Sequence, residues 1–182
     1  GDNMTTPTLS RRRFLKAAGL TIVGATLACS GLGYAATRTP AVELLETTLQ
    51  GDKTMNNRIL VAYATRAGST AEIAAAIAET LSARGYTVDV KPVKEKPQLA
   101  GYAAVVLGSA IRMGAWLPEA VDFVKANQAA LNAVPVALFT VHMLNTGEDD
   151  ASQAARTAYL NAVRPLLGSA EAVYFEGKMD FR

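Results

Sequence analysis

Thr65-Arg66-Ala67-Gly68-Ser69-Thr70 packs three hydroxyls and a glycine between a short apolar run and a longer segment of helical periodicity. A strand-to-helix turn of this composition can hold a phosphate monoester. The first N–H groups of a helix lack internal partners and its dipole favours an anion there. Hydroxyls add donors, and Gly68 lets the backbone come close. The same residues also read as a capping box, Ser69 with Glu72 three residues on. The loop contains neither G-x-G-x-x-G nor G-x-x-x-x-G-K-[ST], so dinucleotide and triphosphate fingerprints are absent. Two other segments carry polar or titratable groups. Gly108-Ser109-Ala110-Ile111-Arg112-Met113-Gly114-Ala115-Trp116-Leu117-Pro118 offers a hydroxyl, a guanidinium and an indole, and Phe139-Thr140-Val141-His142 ends on the single histidine. No Ser/His/Asp, Cys/His or paired-carboxylate arrangement points to hydrolysis. One Cys and one His exclude a zinc site of the usual spacing, and no metal site is expected.

The elements around these loops alternate in kind. Ile59–Ala64 is a short apolar run that reads as a buried strand. In residues 70–84, Ile73, Ile77 and Leu81 recur every fourth position beside Ala74 and Ala78, one apolar stripe on a helix that Gly85 is placed to stop. Residues 86–90 alternate like a half-buried strand. Residues 103–107 form a second buried run. Pro118 opens a helix where its missing N–H costs nothing, with Leu117, Ala120, Val121 and Val124 as its stripe. Residues 135–141 are a third buried run. Asp150 or Ser152 can cap a helix reaching about Leu167 with Tyr159, Val163 and Leu167 inward, and residues 172–175 make the last strand. This alternation predicts an α/β fold, a parallel sheet with helices on both faces, its five strands in the order 2-1-3-4-5. The sequence ends at Arg182 with no fifth helix after that last strand. Ligands of such sheets sit beyond the carboxyl ends of the strands, which is where the three loops fall.

Tyr63-Ala64-Thr65-Arg66-Ala67-Gly68-Ser69-Thr70-Ala71-Glu72-Ile73-Ala74 resembles the FMN-phosphate signature of flavodoxins: Tyr63, Thr65, Gly68, Thr70 and Ala74 fill its places, while Ala62 stands where a larger apolar residue is usual. The second loop resembles the G-[SA]-[SA]-I-R-x-G segment of the flavodoxin-domain group that includes the menaquinone-dependent protoporphyrinogen oxidase. Phe139-Thr140-Val141-His142 and residues 175–182 resemble later segments of that group. The likeness covers residues 58–182 and implies a flavodoxin-like three-layer sandwich that binds FMN. By that likeness Thr65, Arg66, Ala67, Gly68, Ser69 and Thr70 are the phosphate cradle. Ser109, Ala110, Ile111, Arg112, Met113 and Gly114 border the isoalloxazine ring, and Thr140, Val141, His142, Met143 and Leu144 flank its other side and the ribityl chain. Trp116 either lies over the flavin or packs where the Pro118 helix begins, the second being the simpler. Arg112 either stabilises an anionic reduced flavin or pairs with a surface acid. His142 either donates to a flavin oxygen or, as a lone loop histidine, faces solvent. Three functions remain open: a flavin-dependent dehydrogenase passing electrons to a quinone or similar acceptor, a flavodoxin-type electron carrier with a protein redox partner, and a scaffold that has lost FMN.

Charge and composition narrow these. The chain has 182 residues, 50% hydrophobic and 19% charged, too apolar for a disordered chain, and no apolar run reaches the roughly 18 residues of a membrane span. The net charge of +2 is uneven: residues 1–36 carry +3 and residues 37–182 carry −1. A nearly neutral body without a basic stripe makes nucleic acid an unexpected partner, and it lacks the strong acidity that steers a carrier to basic partners. Ser10-Arg11-Arg12-Arg13-Phe14-Leu15-Lys16, followed by the uncharged residues 17–28, resembles a twin-arginine export signal. That implies a signal peptide over 1–36, a tether over 37–57, and a domain over 58–182 working in the periplasm or at the outer face of the cytoplasmic membrane. Membrane proximity would come through the N-terminal segment; its processing is either a lipid anchor at Cys29 or cleavage near Ala35, and a Cys simply packed in an apolar run is the simpler reading of Cys29. Leu44, Leu45 and Leu49 of the tether could form one short helical face.

Overall fold

The computed structural model describes residues 46–50 and 57–177. The expectations for the signal segment, Cys29, Leu44, Leu45 and residues 178–182 fall outside them. In chain order the elements are β1 (Thr47–Leu49), β2 (Arg58–Ala64), α1 (Ser69–Ser82), β3 (Thr87–Pro92), β4 (Ala104–Arg112), β5 (Ala115–Trp116), α2 (Pro118–Ala126), α3 (Gln128–Ala133), β6 (Val136–His142), α4 (Asp150–Ala158) and β7 (Ala170–Glu176). The sheet order is β1-β3-β2-β4-β6-β7, with β5 paired to β4. Its parallel part, β3-β2-β4-β6-β7, is the expected 2-1-3-4-5 arrangement.

β2, β4 and β6 are hydrophobic runs because each is covered on both faces. On one face Ile59, Val61, Tyr63, Val106, Phe139 and Val141 meet the Ile73, Ile77 and Leu81 stripe of α1. On the other, Leu60, Ala62, Leu107 and Leu138 meet Leu117, Ala120 and Val124 of α2 and the buried Leu160, Val163 and Leu167. Gly108 stands opposite Phe139 in the β4–β6 ladder, and a Cβ there would lie 2.0 Å from the Phe139 ring. The glycine therefore exists to let that ring lie flat on the strand.

Three expectations are corrected. Leu49 is not on a helical face: it lies in β1, antiparallel to β3, and packs against the α1 side of the core. The docking is chemical as well as apolar. Asp89 of β3 is buried, accepts from Thr48 Oγ1 at 2.7 Å and Tyr102 Oη at 2.6 Å, and pairs with Arg58 at 2.7 Å. Secondly, β4 runs five residues past the expected end and folds back through Met113-Gly114 into β5. Thirdly, the last helix ends at Ala158, well before the expected Leu167, and Pro165 bars an α-helix from running that far. Tyr159, Val163 and Leu167 are nevertheless buried as expected, through turns and a 3₁₀ segment at Arg164–Leu166. Its cap is Asp149, which accepts from the Ser152 N–H at 2.9 Å, rather than Asp150 or Ser152.

Gly108→Ala should cost about 3 kcal/mol by overpacking, read from urea denaturation, and adding Phe139→Ala should relieve the clash so that the two losses are less than additive. Burial pushes the Asp89 carboxyl up, but the hydrogen bonds from Tyr102 and Thr48 and the Arg58 charge outweigh it and hold it below the ordinary range. Its stabilisation is thus present above the unfolded value of about 3.9 and lost as pH falls through the lower folded value. Asp89→Asn should flatten the acid limb of the stability–pH curve below about pH 4.

Candidate functional site

The carboxyl ends of β2, β4 and β6 reach one edge of the sheet together, Ala64 level with Ser109 and Ala110 level with Val141. The loops leaving them enclose a cleft of about 260 Å³.

The first loop forms its wall on the α1 side. Gly68 adopts φ 91° and caps α1, and no side-chain capping box forms. Thr65 Oγ1 accepts from the Gly68 N–H at 3.0 Å and so shapes the turn. The Gly68 carbonyl takes the N–H groups of Ala71 and Glu72 at 2.8 and 3.2 Å. Those of Ser69 and Thr70 have no partner among the described residues. Thr70 is fully buried, and its Oγ1 has no hydrogen-bond partner either. An unpaired hydroxyl in such a place costs about 1–3 kcal/mol, which an anion at the helix start would recover. Arg66 does not offer its charge freely: Nη1 and Nη2 lie 2.9 and 3.0 Å from the two carboxylate oxygens of Glu119, in the first turn of α2.

The second wall is the β4–β5 hairpin. Ala110, Ile111 and Arg112 line the cleft, and Met113 and Gly114, with φ 53° and 76°, make its two-residue turn. Arg112 is exposed and has no ion pair among the described residues. Ser109 is buried, and its hydroxyl is spent on the Leu117 N–H and the Ala110 carbonyl. Trp116 packs, 3% exposed, with Nε1 donating to Thr140 Oγ1 at 2.9 Å, so Thr140 is turned to the indole.

The third wall is Val141, His142 and Met143. His142 is not solvent-facing. It is 4% exposed, its ring lies against Tyr159 and Tyr174, and Nδ1 is 2.8 Å from the Leu144 carbonyl. A carbonyl only accepts, so Nδ1 carries the proton and holds the following loop.

Of the residues expected at the site, Arg66, Ala67, Ser69, Ala110, Ile111, Arg112, Val141, His142 and Met143 line the cleft. Thr65, Gly68, Ser109 and Thr140 shape it from behind, Thr70 stands buried at the start of α1 with its hydroxyl unpartnered, and Met113, Gly114 and Leu144 stand at the rim loops. Two contributors escaped the sequence reading. Gly177 lines the cleft, donates its N–H to the His142 carbonyl at 2.7 Å, and packs tightly, since a Cβ there would lie 3.0 Å from Val141 Cγ1. Glu119 anchors the first loop; its only sequence signal was an acid in a helix's first turn. Thr140→Val should strand the Trp116 N–H in the core, lowering stability by about 2 kcal/mol with a change in tryptophan fluorescence, whereas Thr140→Ser should restore both.

The model of a family described as the flavodoxin domain matches residues 60–181. Protoporphyrinogen IX dehydrogenase [quinone] of Escherichia coli strain K12 is 36% identical over 89 residues, 48% of this chain and 49% of that protein. The chain therefore matches about half the length of this curated relative. Among solved structures, a flavodoxin from the domain Archaea gives a TM-score of 0.45 at 18% identity, over 65% of this chain and 84% of that one. Flavodoxin 1 of Bacillus cereus gives 0.48 at 16% identity, over 68% and 86%. With its family match running over more than half of its length, the chain belongs to the flavodoxin domain family.

Proposed function

We infer that the protein binds FMN in the cleft at the carboxyl edge of the sheet and works as a flavin-dependent oxidoreductase, delivering electrons to a quinone or a similar acceptor. The observation that carries the reading is the buried, unpartnered Thr70 hydroxyl at the start of α1, beside the unpaired N–H groups of Ser69 and Thr70. Those donors suit a phosphate better than a neutral group, because bonds to an ionised acceptor are about twice as strong as neutral ones. The apolar residues Ala110, Ile111, Val141 and Met143 suit a flat ring above that phosphate.

The residues divide the work. Ser69 and Thr70 hold the phosphate. Thr65 fixes the turn around Gly68, and Glu119 keeps Arg66 and the first loop in place. The hairpin and the Val141–Met143 segment confine the ring and exclude water from its edges. His142, its Nδ1 proton committed to Leu144, positions the third wall rather than exchanging protons with a substrate. The flavin itself would supply the redox chemistry when bound. The near-neutral body favours an enzyme over a charge-steered carrier. The quinone acceptor is drawn from the name of the Escherichia coli relative, and residues 10–16 support export and work outside the cytoplasmic membrane, after residues 1–36 and a tether over 37–57 that precede the domain.

Titration with FMN, followed by visible absorbance and flavin fluorescence, tests this reading. Thr70→Val should weaken FMN binding about tenfold, the equivalent of 1.4 kcal/mol for one charge-assisted hydrogen bond, while the flavin-free thermal midpoint stays level or rises. Unchanged FMN affinity in that variant would contradict the assignment.

A further inference from the structure

Arg66 is the cation of the first loop, and it lines the cleft. Beside a helix start whose N–H groups suit an anion, a free guanidinium would be the strongest partner a phosphate could find, because it grips phosphate with two parallel hydrogen bonds. The structure commits it elsewhere. Nη1 lies 2.9 Å from Glu119 Oε1 and Nη2 lies 3.0 Å from Glu119 Oε2, so both prongs of the guanidinium meet one carboxylate. Glu119 comes from a different element, the first turn of α2, 53 positions further along the chain.

The pair is unequal, and the inequality decides which partner holds the other. The side chain of Arg66 is 46% exposed, that of Glu119 only 18%. Glu119 Oε1 is enclosed and, apart from its contact with Arg66, has no partner among the described residues. On separation Arg66 would find water, whereas Glu119 would be left with an enclosed and uncompensated charge. Removing the partner of such a charge costs more than the pair itself gains. The dipole of α2 favours an acid in its first turn, which settles the carboxylate where it is. Glu119 is therefore the fixed post, and Arg66 is tied to it.

We propose that Glu119 is a positioning residue that sets the charge of the phosphate cradle: by holding Arg66 it makes the two a neutral unit, and recognition of the phosphate is left to the hydroxyls and N–H groups of Ser69 and Thr70. The proposal rests on the flavin reading above and adds by what kind of force, and how tightly, that site holds its ligand. Hydrogen-bond donors act at contact and are screened little by salt, whereas a free guanidinium attracts any anion and loses its pull as salt rises. A neutral side chain in place of Glu119 would release a cation that the native site withholds, and binding of the phosphate would tighten. Arg112, the other cation lining the cleft among the described residues, stands on the opposite wall and is the same in every variant below.

The test is the affinity of the full chain for FMN relative to riboflavin, read from flavin fluorescence at low and high salt. The ratio isolates the phosphate: a general loosening of the fold weakens both ligands and leaves it unmoved. Glu119→Gln should raise the ratio about fivefold at low salt, as a partly exposed charge allows, and steepen its fall with salt. Glu119→Asp, which keeps the charge, should hold the ratio nearer to that of the native chain. Arg66→Gln should lower it, because a bare carboxylate then stands beside the cradle. Arg66→Gln combined with Glu119→Gln should bring it back to within about twofold, since a neutral pair is removed whole. The thermal midpoint of the flavin-free protein reports the folding of each variant, and the double variant decides if a single one does not fold. A ratio that Glu119→Gln leaves level or lowers overturns the proposal. So does a double variant whose ratio drops about tenfold, because Arg66 would then touch the phosphate itself. Both results leave the flavin reading standing. A native chain that binds FMN no better than riboflavin, or binds neither, overturns the flavin reading and this proposal with it.

Discussion

β2, β4 and β6 run parallel with both faces buried, and their ladders decide which residue ends each strand at the carboxyl edge. A slip of one residue in any of them would exchange its two faces and carry every core side chain to the wrong layer. The Phe139 ring on Gly108 guards against this where β4 meets β6, since no neighbouring position of β4 lacks a Cβ. With that register fixed, the three loops have one place to go. Thr140, one residue beyond Phe139, reaches Trp116 and holds the hairpin. His142, two further on, reaches Leu144 and holds the third loop. The site is thus an extension of the core rather than a set of independent loops.

The electrostatics of the mouth follow from the same arrangement. The first loop presents N–H groups and hydroxyls to the cleft rather than a free cation, because its arginine is tied to Glu119. That ion pair also links the loop after β2 to the helix after β5. Charge that is not tied down sits on the opposite side, at Arg112. At the far edge of the sheet, β1 is held by Asp89, Thr48, Tyr102 and Arg58. So held, β1 pairs with β3 and covers backbone groups that β3 would otherwise leave open at the edge of its parallel neighbours.

Much of this was legible in the residues. The strands β2, β4 and β6 declare themselves as apolar runs, and α1 as a four-residue apolar spacing, because burial on one or two faces leaves a periodic trace. What escaped was determined by distant partners. β1 is three residues long, and its meaning lies in Asp89, some forty positions away. The β4–β5 hairpin hides because Met113 occupies a turn position where Asn or Gly would have signalled it. His142 looked like a loop histidine because Tyr159 and Tyr174, which enclose it, follow much later in the chain. Glu119 and Gly177 joined the site through contacts across elements, which no local pattern records.

The central claim is that the start of α1 recognises a phosphate attached to a flavin. The most direct measurement compares FMN with riboflavin, which differ in that phosphate alone, by calorimetric titration of the same protein. The account predicts that FMN binds at least about a hundredfold more tightly, the return expected from two or more charge-assisted hydrogen bonds. Equal affinity for the two would contradict it, because the ring would then bind without any contribution from Ser69 and Thr70.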